Sequence, residues 1–327
     1  MAARGIKVVH GADIHIGVEL YGRVDPRSGL SSRVADFLGC FDAMVDHCLA
    51  EKADLFVFAG DAFRVNSPSP TYVREFAARV MRLAEAGIPS ILLVGNHDTP
   101  VMAGRASPID LFQTFSAPLV HVAARVGLHR IETAGGPVQV LAIPWLSPGR
   151  FLGADAVRGK RLDAIGQQVI ASLQERVATL CEKIDPAVPA IMVAHATFAG
   201  AKLASERGTW LGHDWVYPLS LCQAYPFSYV ALGHIHKHQV LATNPPVVYS
   251  GSISRVDFSE EDDAKGFCVA EVYAGRNAEW RFVEVAARPF KTITVDLRDE
   301  NPQVLMPAVL KRVERERVEG AIVRVII

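Results

Sequence analysis

The chain has little net charge, no cysteine framework and no long apolar run. Lysine plus arginine number 34 and aspartate plus glutamate 35, for a formal net charge of −1. Any surface for a polyanion must therefore be local. Five cysteines (Cys40, Cys48, Cys181, Cys222, Cys268) lie at unrelated spacings. That pattern argues against a disulfide scaffold and fits a reducing compartment. No apolar run approaches the ~20 residues of a membrane helix. The N-terminus runs almost directly into a strand, with no signal-peptide pattern, so the expected setting is cytoplasmic. No repeat or low-complexity tract is present. At 327 residues, half of them hydrophobic, the chain has room for one large core and a small second unit.

What the sequence does contain is five short segments bearing histidine or aspartate. They are Asp13-Ile14-His15, Gly60-Asp61, Gly95-Asn96-His97-Asp98, His195, and Gly233-His234-Ile235-His236. Nearly every one follows a short apolar run, as at Ile6 to Val9, Leu55 to Ala59 and Ile91 to Val94. Each therefore reads as a strand end, where open α/β folds gather ligand-binding groups. Between them, residues 31–52 and 70–86 show helical periodicity. The resulting βαβαβ rhythm argues for parallel strands with crossover helices. Short strands crowd residues 228–285 and suggest a second sheet, with helices outside both.

Oxygen ligands mixed with imidazoles at one sheet edge describe a metal site, with enough groups for two ions sharing a carboxylate. Asp61 is the natural bridge, since the preceding glycine lets the backbone turn tightly. Asp13 and His15 are two apart, as are His234 and His236, so an extended backbone would turn each pair to one side. Asn96 offers a neutral amide oxygen, and His195 completes the set. His97 has a different role in this reading, as a general acid for a leaving oxygen, oriented by Asp98. A single Asp-x-His or Gly-Asp would mean little. All five segments in this order are hard to obtain by chance.

Together these segments resemble the calcineurin-like metallophosphoesterase superfamily. Gly60-Asp61-Ala62-Phe63 with Asn66 to Pro70, Tyr249 to Ile253, Arg255 to Glu261, Lys265-Gly266-Phe267 and Arg288-Pro289-Phe290 are similar to one branch, the SbcD nucleases and their Mre-eleven relatives. The resemblance implies a four-layer α/β/β/α sandwich over residues 1–288. A partial α+β capping domain would follow at 289–327, shortened because a β-α-β of about 38 residues is small for its own core. It implies that Asp13, His15, Asp61 and His236 hold one metal and that Asp61, Asn96, His195 and His234 hold a second, most often manganese. It further implies DNA cleavage, exonucleolytic on duplex ends and endonucleolytic on single strands and hairpins. The implied partners are DNA, an SbcC-like (Rad-fifty-like) coiled-coil ATPase and a second copy of the chain. Many family members carry a histidine three residues after the bridging aspartate. This chain has Arg64 there, which can stabilise phosphate charge but cannot exchange protons.

Other residues are weighed against blander roles. Lys202, Arg207 and Trp210 follow His195 in a loop and are candidates for DNA contact or for a solvated turn. Arg255 is a candidate for phosphate contact or for a salt bridge. His10 reads as a core residue, His213 and His238 as surface groups, and Glu260 to Asp263 as a solvated acidic turn. Pro108, Ile109, Leu111 and Phe112 suit either a dimer helix or the core. Two other functions compete with the nuclease. One is a metallophosphoesterase for small phosphodiesters or phosphomonoesters. The other is a non-catalytic scaffold for DNA ends.

Overall fold

The computed structural model describes residues 4–100, 102, 104–203, 214–223, 226–296, 305–316 and 318–327. The first half runs β1 (Ile6–Gly11), α1 (Ser32–Ala50), β2 (Leu55–Phe58), α2 (Pro70–Glu85), β3 (Ser90–Leu93), α3 (Leu111–Thr114) and β4 (Val120–Ala123). A hairpin of β5 (Gly127–Thr133) and β6 (Gly136–Ile143) follows, then α4 (Pro148–Phe151), α5 (Ala154–Val157) and α6 (Leu162–Cys181). Next come β7 (Ala190–His195), β8 (Thr197–Phe198), β9 (Val216–Tyr217), α7 (Ser220–Gln223) and β10 (Tyr229–Gly233). The chain continues with β11 (Gln239–Thr243), β12 (Pro246–Tyr249), β13 (Gly266–Tyr273) and β14 (Arg276–Glu284). It finishes with β15 (Phe290–Thr294), α8 (Leu305–Glu314) and β16 (Ile322–Ile326).

Among the described residues two six-stranded sheets form, in the orders β14-β13-β1-β2-β3-β4 and β11-β12-β10-β7-β6-β5. Strand alternation divides the core into layers. Val8, Leu55, Val57, Ile91 and Leu93 point between the sheets, where they meet Val138, Val140, Ile191, Val193 and Ala231. Their neighbours Val9, Phe56, Phe58 and Leu92 face outward and pack under α1 and α2. The other sheet turns Leu141, Met192, Val230 and Leu232 onto α6 through Val169, Leu173 and Val177. The result is the expected four-layer sandwich. The two long helices of the first sheet begin where the sequence marks them. Ser31 caps α1 by accepting the Arg33 N–H, and Ser69 caps α2 ahead of Pro70 at its first position.

Two expectations about the later strands need correction. The strands of 228–285 do not make one sheet, because β13 and β14 cross back to pair with β1 in the first. In β13, Phe267 and Val269 face the helix layer while Cys268, Ala270 and Val272 face the other sheet. A strand apolar on both faces belongs in a sheet interior, and the place between β1 and β14 supplies one. Residues 260–263 are not a solvated turn. Glu260 is fully buried, with its carboxylate 2.7 Å from the buried Lys265 ammonium. Ile109 and Phe112 are core residues of the first sheet's helix layer, which leaves them unavailable for a dimer contact.

At the end of the chain β15 and β16 pair in parallel, and Ile293, Val295 and Val309 form a small cluster of their own. Arg288 ties this region back through two bonds to Asp36 on α1, at 2.7 and 2.8 Å.

Phe76 on α2 joins the helix layer to the loop after β2. Its ring centroid lies 5.6 Å from Phe41, 5.5 Å from Phe58 and 5.5 Å from Phe63, two residues beyond Asp61. Phe76→Ala should lower the unfolding free energy by about 3–5 kcal/mol. Urea denaturation measures this, and a loss below about 1 kcal/mol would show that the layer closes over the cavity.

Candidate metal centre

The loops after β1, β2, β3, β7 and β10 meet at the C-terminal ends of parallel strands from both sheets. The chain leaves these strands sharply. Asp13 (φ 53°), His15 (φ 49°), Asp61 (φ 61°) and His234 (φ 93°) all occupy left-handed conformations without being glycine. Each such residue costs on the order of 1–3 kcal/mol and persists only where its surroundings hold it. The two-residue spacings therefore work through tight turns, not through the strand alternation expected from sequence. Backbone bonds lock the first two loops together, with the Asp13 N–H on the Gly60 carbonyl (3.0 Å) and the Ile14 N–H on the Asp61 carbonyl (3.0 Å).

Seven side chains converge there. Ligand atoms of Asp13, His15 and His236 lie within 4.8 Å of one another, as do those of Asp61, His195 and His234. A third such group links His15, Asp61 and His97. The Asn96 amide oxygen stands 2.9 Å from His195 Nε2 and 3.1 Å from His234 Nδ1. Asp61 Oδ2 lies 3.8 Å from His15 Nε2 and 3.4 Å from His195 Nε2, which makes it the shared carboxylate. Backbone N–H groups tie the carboxylates across loops. That of His97 donates to Asp61 Oδ1 (2.9 Å), and that of His234 donates to both oxygens of Asp13.

Hydrogen bonds outside this cluster set the histidine tautomers. His195 Nδ1 donates to the Ala59 carbonyl at 2.7 Å, so its Nε2 turns a lone pair toward Asp61. His236 Nδ1 lies 2.8 Å from Glu260 and His234 Nε2 lies 3.1 Å from Asp214. Behind Glu260 stands Lys265, whose ammonium also binds Ser252 Oγ and the His236 carbonyl. Two aromatic nitrogens, His15 Nε2 and His236 Nε2, face each other at 2.9 Å. Such a buried array of lone pairs and carboxylates suits a cation, so the residues present fit a pair of divalent ions.

The electrostatics are those of a crowded buried cluster. Burial holds His15 well below its usual pKa and leaves it neutral. Burial pushes the Asp13 carboxyl up to about 6. Burial would also raise Asp61, but His195 and His97 outweigh it and hold that carboxyl well below the usual range. Burial opposes protonation of His195, yet Asp61 and Asp13 bring it up to about 9. Glu260 is likewise held low by His236 and Lys265 against its burial.

The remaining candidates fall differently. His97 Nδ1 donates to the Arg64 carbonyl at 2.8 Å, with the Arg64 guanidinium 3.3 Å away. Asp98 does not orient His97. Its carboxylate accepts the backbone N–H groups of Asp61, Ala62, Phe63 and Gly95 at 2.9–3.2 Å. A carboxylate this buried finds four unpaired N–H donors at the turn, which outcompete one imidazole. Arg255 is spent on the carbonyls of Glu261, Asp263, Ala287 and Arg288. Lys202 has its backbone clamped by Gln239, and no bond ties its exposed ammonium to the metal-binding cluster. Arg207, Trp210 and His213 lie outside the described residues. His10 is a core residue bonded to Tyr229, and His238 is half-buried, stacked on Phe282 at 4.0 Å. Sequence reasoning missed Glu260, Asp214 and Trp145, whose indole packs 5.2 Å from His234. No spacing rule marks them, because they meet the histidines only through the fold.

A family model for calcineurin-like phosphoesterases matches residues 6–238. The chain is 28% identical to the SbcD component of the SbcCD nuclease of Escherichia coli (strain K12), across 78% of this chain and 62% of that protein. It is 25% identical to "DNA double-strand break repair protein Mre11" of Archaeoglobus fulgidus, across 97% of this chain and 67% of that one. Among solved structures, GAP50, the anchor in the inner membrane complex of Plasmodium, aligns with a TM-score of 0.50 at 12% identity, over 86% of this chain and 85% of that chain. That likeness concerns the fold alone. The chain thus spans less than two thirds of the length of its Escherichia coli relative.

The packing around Gly95 offers a direct test. A Cβ there would lie 2.1 Å from Asp61 Oδ1 and 2.4 Å from the Asp61 nitrogen. Gly95→Ala should displace the shared carboxylate and weaken divalent-ion binding at least about tenfold, the scale of lost supporting contacts at metal sites. Titration calorimetry reads the change, and an unaltered isotherm would show that the Asp61 turn yields without cost. Five strand-end segments, the two clusters sharing Asp61 and the family match together place this chain in the calcineurin-like phosphoesterase family, on the branch of the SbcD and Mre11 proteins.

Proposed function

We propose that the chain is the catalytic part of a two-metal DNA nuclease, acting on duplex ends and on single-stranded or hairpin DNA. The observation that carries the reading is the pair of ligand clusters sharing Asp61. The named relatives favour DNA over small esters as the substrate. Asp13, His15, Asp61 and His236 would hold one ion, and Asp61, Asn96, His195 and His234 the other. Manganese suits this oxygen and nitrogen donor set. When bound, the ions supply an activated water and neutralise phosphate charge. The chain's residues do the rest. His97, with Nδ1–H fixed on the Arg64 carbonyl, has Nε2 as the atom that passes a proton to the leaving oxygen. Its burial disfavours the charged form, and Asp61 restores it in part. Arg64, exposed beside His97, meets the phosphate charge.

Residues 1–288 form the phosphoesterase unit in this reading, and 289–327 begin a cap over the DNA. The Escherichia coli relative is one component of a two-component nuclease, SbcCD, which supports an SbcC-like ATPase as partner and a cytoplasmic setting. A second copy of the chain would have to dock without Ile109 and Phe112, which the core occupies.

The test is manganese-dependent digestion of a labelled linear duplex, with and without the ATPase. Asp61→Ala should abolish cleavage and metal binding together. His97→Ala should keep the metals while lowering turnover about 10²–10⁴-fold. Hydrolysis of a small aryl phosphodiester without any DNA cleavage would sink the nuclease reading and leave the small-ester alternative.

A further inference from the structure

Beside the metal cluster lies a second cavity of about 710 Å³ whose wall includes Trp145. Four arginines line it, Arg105, Arg125, Arg150 and Arg176, against one acid, Asp110. Counted over these lining residues, four positive charges less one leave a local +3. The whole chain, by contrast, carries −1. The acid does not face the excess freely, since Asp110 accepts the Ser107 N–H at 2.7 Å. Arg150 is occupied too, holding the Met102 and Arg105 carbonyls at 3.1 and 3.0 Å. Arg105, Arg125 and Arg176 make no ion pair or side-chain hydrogen bond among the described residues. Elsewhere on this surface arginines find acids. Arg79 and Arg82 bind Asp42, and Arg288 binds Asp36. Three unpaired guanidinium groups around one concavity repel one another, and an anion relieves that repulsion.

We infer that this cavity binds a nucleotide unit, with its phosphate on Arg105, Arg125 and Arg176 and its base against Trp145. Guanidinium groups match phosphate geometry with paired donors. An indole face accepts any base by stacking, so the site tolerates any sequence. The same indole packs 5.2 Å from His234 and 6.3 Å from His195. A nucleotide in the cavity would thus be separated from the metal ligands by one aromatic ring. This inference rests on the DNA reading above and extends it to a flanking subsite, filled either by the neighbouring nucleotide of the strand being cut or by a released mononucleotide.

The test compares the wild-type chain with the Arg105→Gln/Arg125→Gln/Arg176→Gln variant, without metal in EDTA. Fluorescence anisotropy of a labelled oligothymidylate should show at least a tenfold loss of affinity in the variant. The slope of log affinity against log salt should fall by about 2, the share of three contacts on a single strand. Hydrolysis of an aryl phosphodiester should stay unchanged with manganese present, since these arginines lie outside the metal cluster. That control also shows that the variant is folded. Competition by dTMP that depends on the three arginines would assign the site to a free nucleotide as well. Its absence would assign the site to the strand alone. Equal oligonucleotide affinity and equal salt slope in the two proteins would overturn the inference. Arginine-dependent binding in a chain that never cleaves DNA would overturn the nuclease reading while this site stands.

Discussion

The centre depends on one buried carboxylate that touches no candidate ligand side chain. Asp98 collects the N–H groups of Asp61, Ala62, Phe63 and Gly95, and so binds the loop after β2 to the loop after β3. Without it four backbone donors would be buried unpaired, each worth about 1–3 kcal/mol. The left-handed turn at Asp61 exists only because those donors are held. Burial and the Asp61 charge push Asp98 up to about 7, while the backbone donors pull it down. Four N–H groups aimed at one carboxylate favour its ionised form, which can only accept.

Around that pin the site is closed by reciprocal ties. Carboxylates in one loop accept N–H groups from another, and each of His195, His234 and His236 spends its outer nitrogen on an acceptor behind it. The aromatic layer of Phe41, Phe58, Phe63 and Phe76 then fixes the loop after β2 from below. Strain at Asp13, His15, Asp61 and His234 is thus distributed over hydrogen bonds and packing on both sheets. The ligand geometry is a property of the whole sandwich, and no single loop would hold it in isolation.

Much of this was legible in the sequence. Apolar runs followed by Gly-Asp, Gly-Asn-His-Asp and Gly-His-x-His marked the strand ends, and the capping serines marked the helices of the first sheet. The failures share a physical reason, which is that local pattern says nothing about who arrives from elsewhere. Asp98 neighbours His97 in sequence, yet four backbone donors from two loops claim it. Glu260 to Asp263 reads as a polar turn until Lys265 and His236 are brought to Glu260. β13 reads as one more strand of a run until its two apolar faces require an interior position. Trp145 and Asp214 carry no motif at all and join the centre only through the second sheet.

Glu260 and Glu261 are consecutive and serve opposite ends of the molecule. Glu260 holds His236, and the Glu261 carboxylate accepts the Thr292 N–H of β15 at 2.8 Å. The short helical turn from Phe258 to Glu260 therefore behaves as a rocker with the metal cluster on one arm and the terminal β-unit on the other. The terminal unit cannot tilt without breaking the Thr292 bond or rotating that turn. Rotation would carry Glu260 with it and swing the His236 ring. Alignment of the chain's last strands and aim of one imidazole are mechanically a single coordinate.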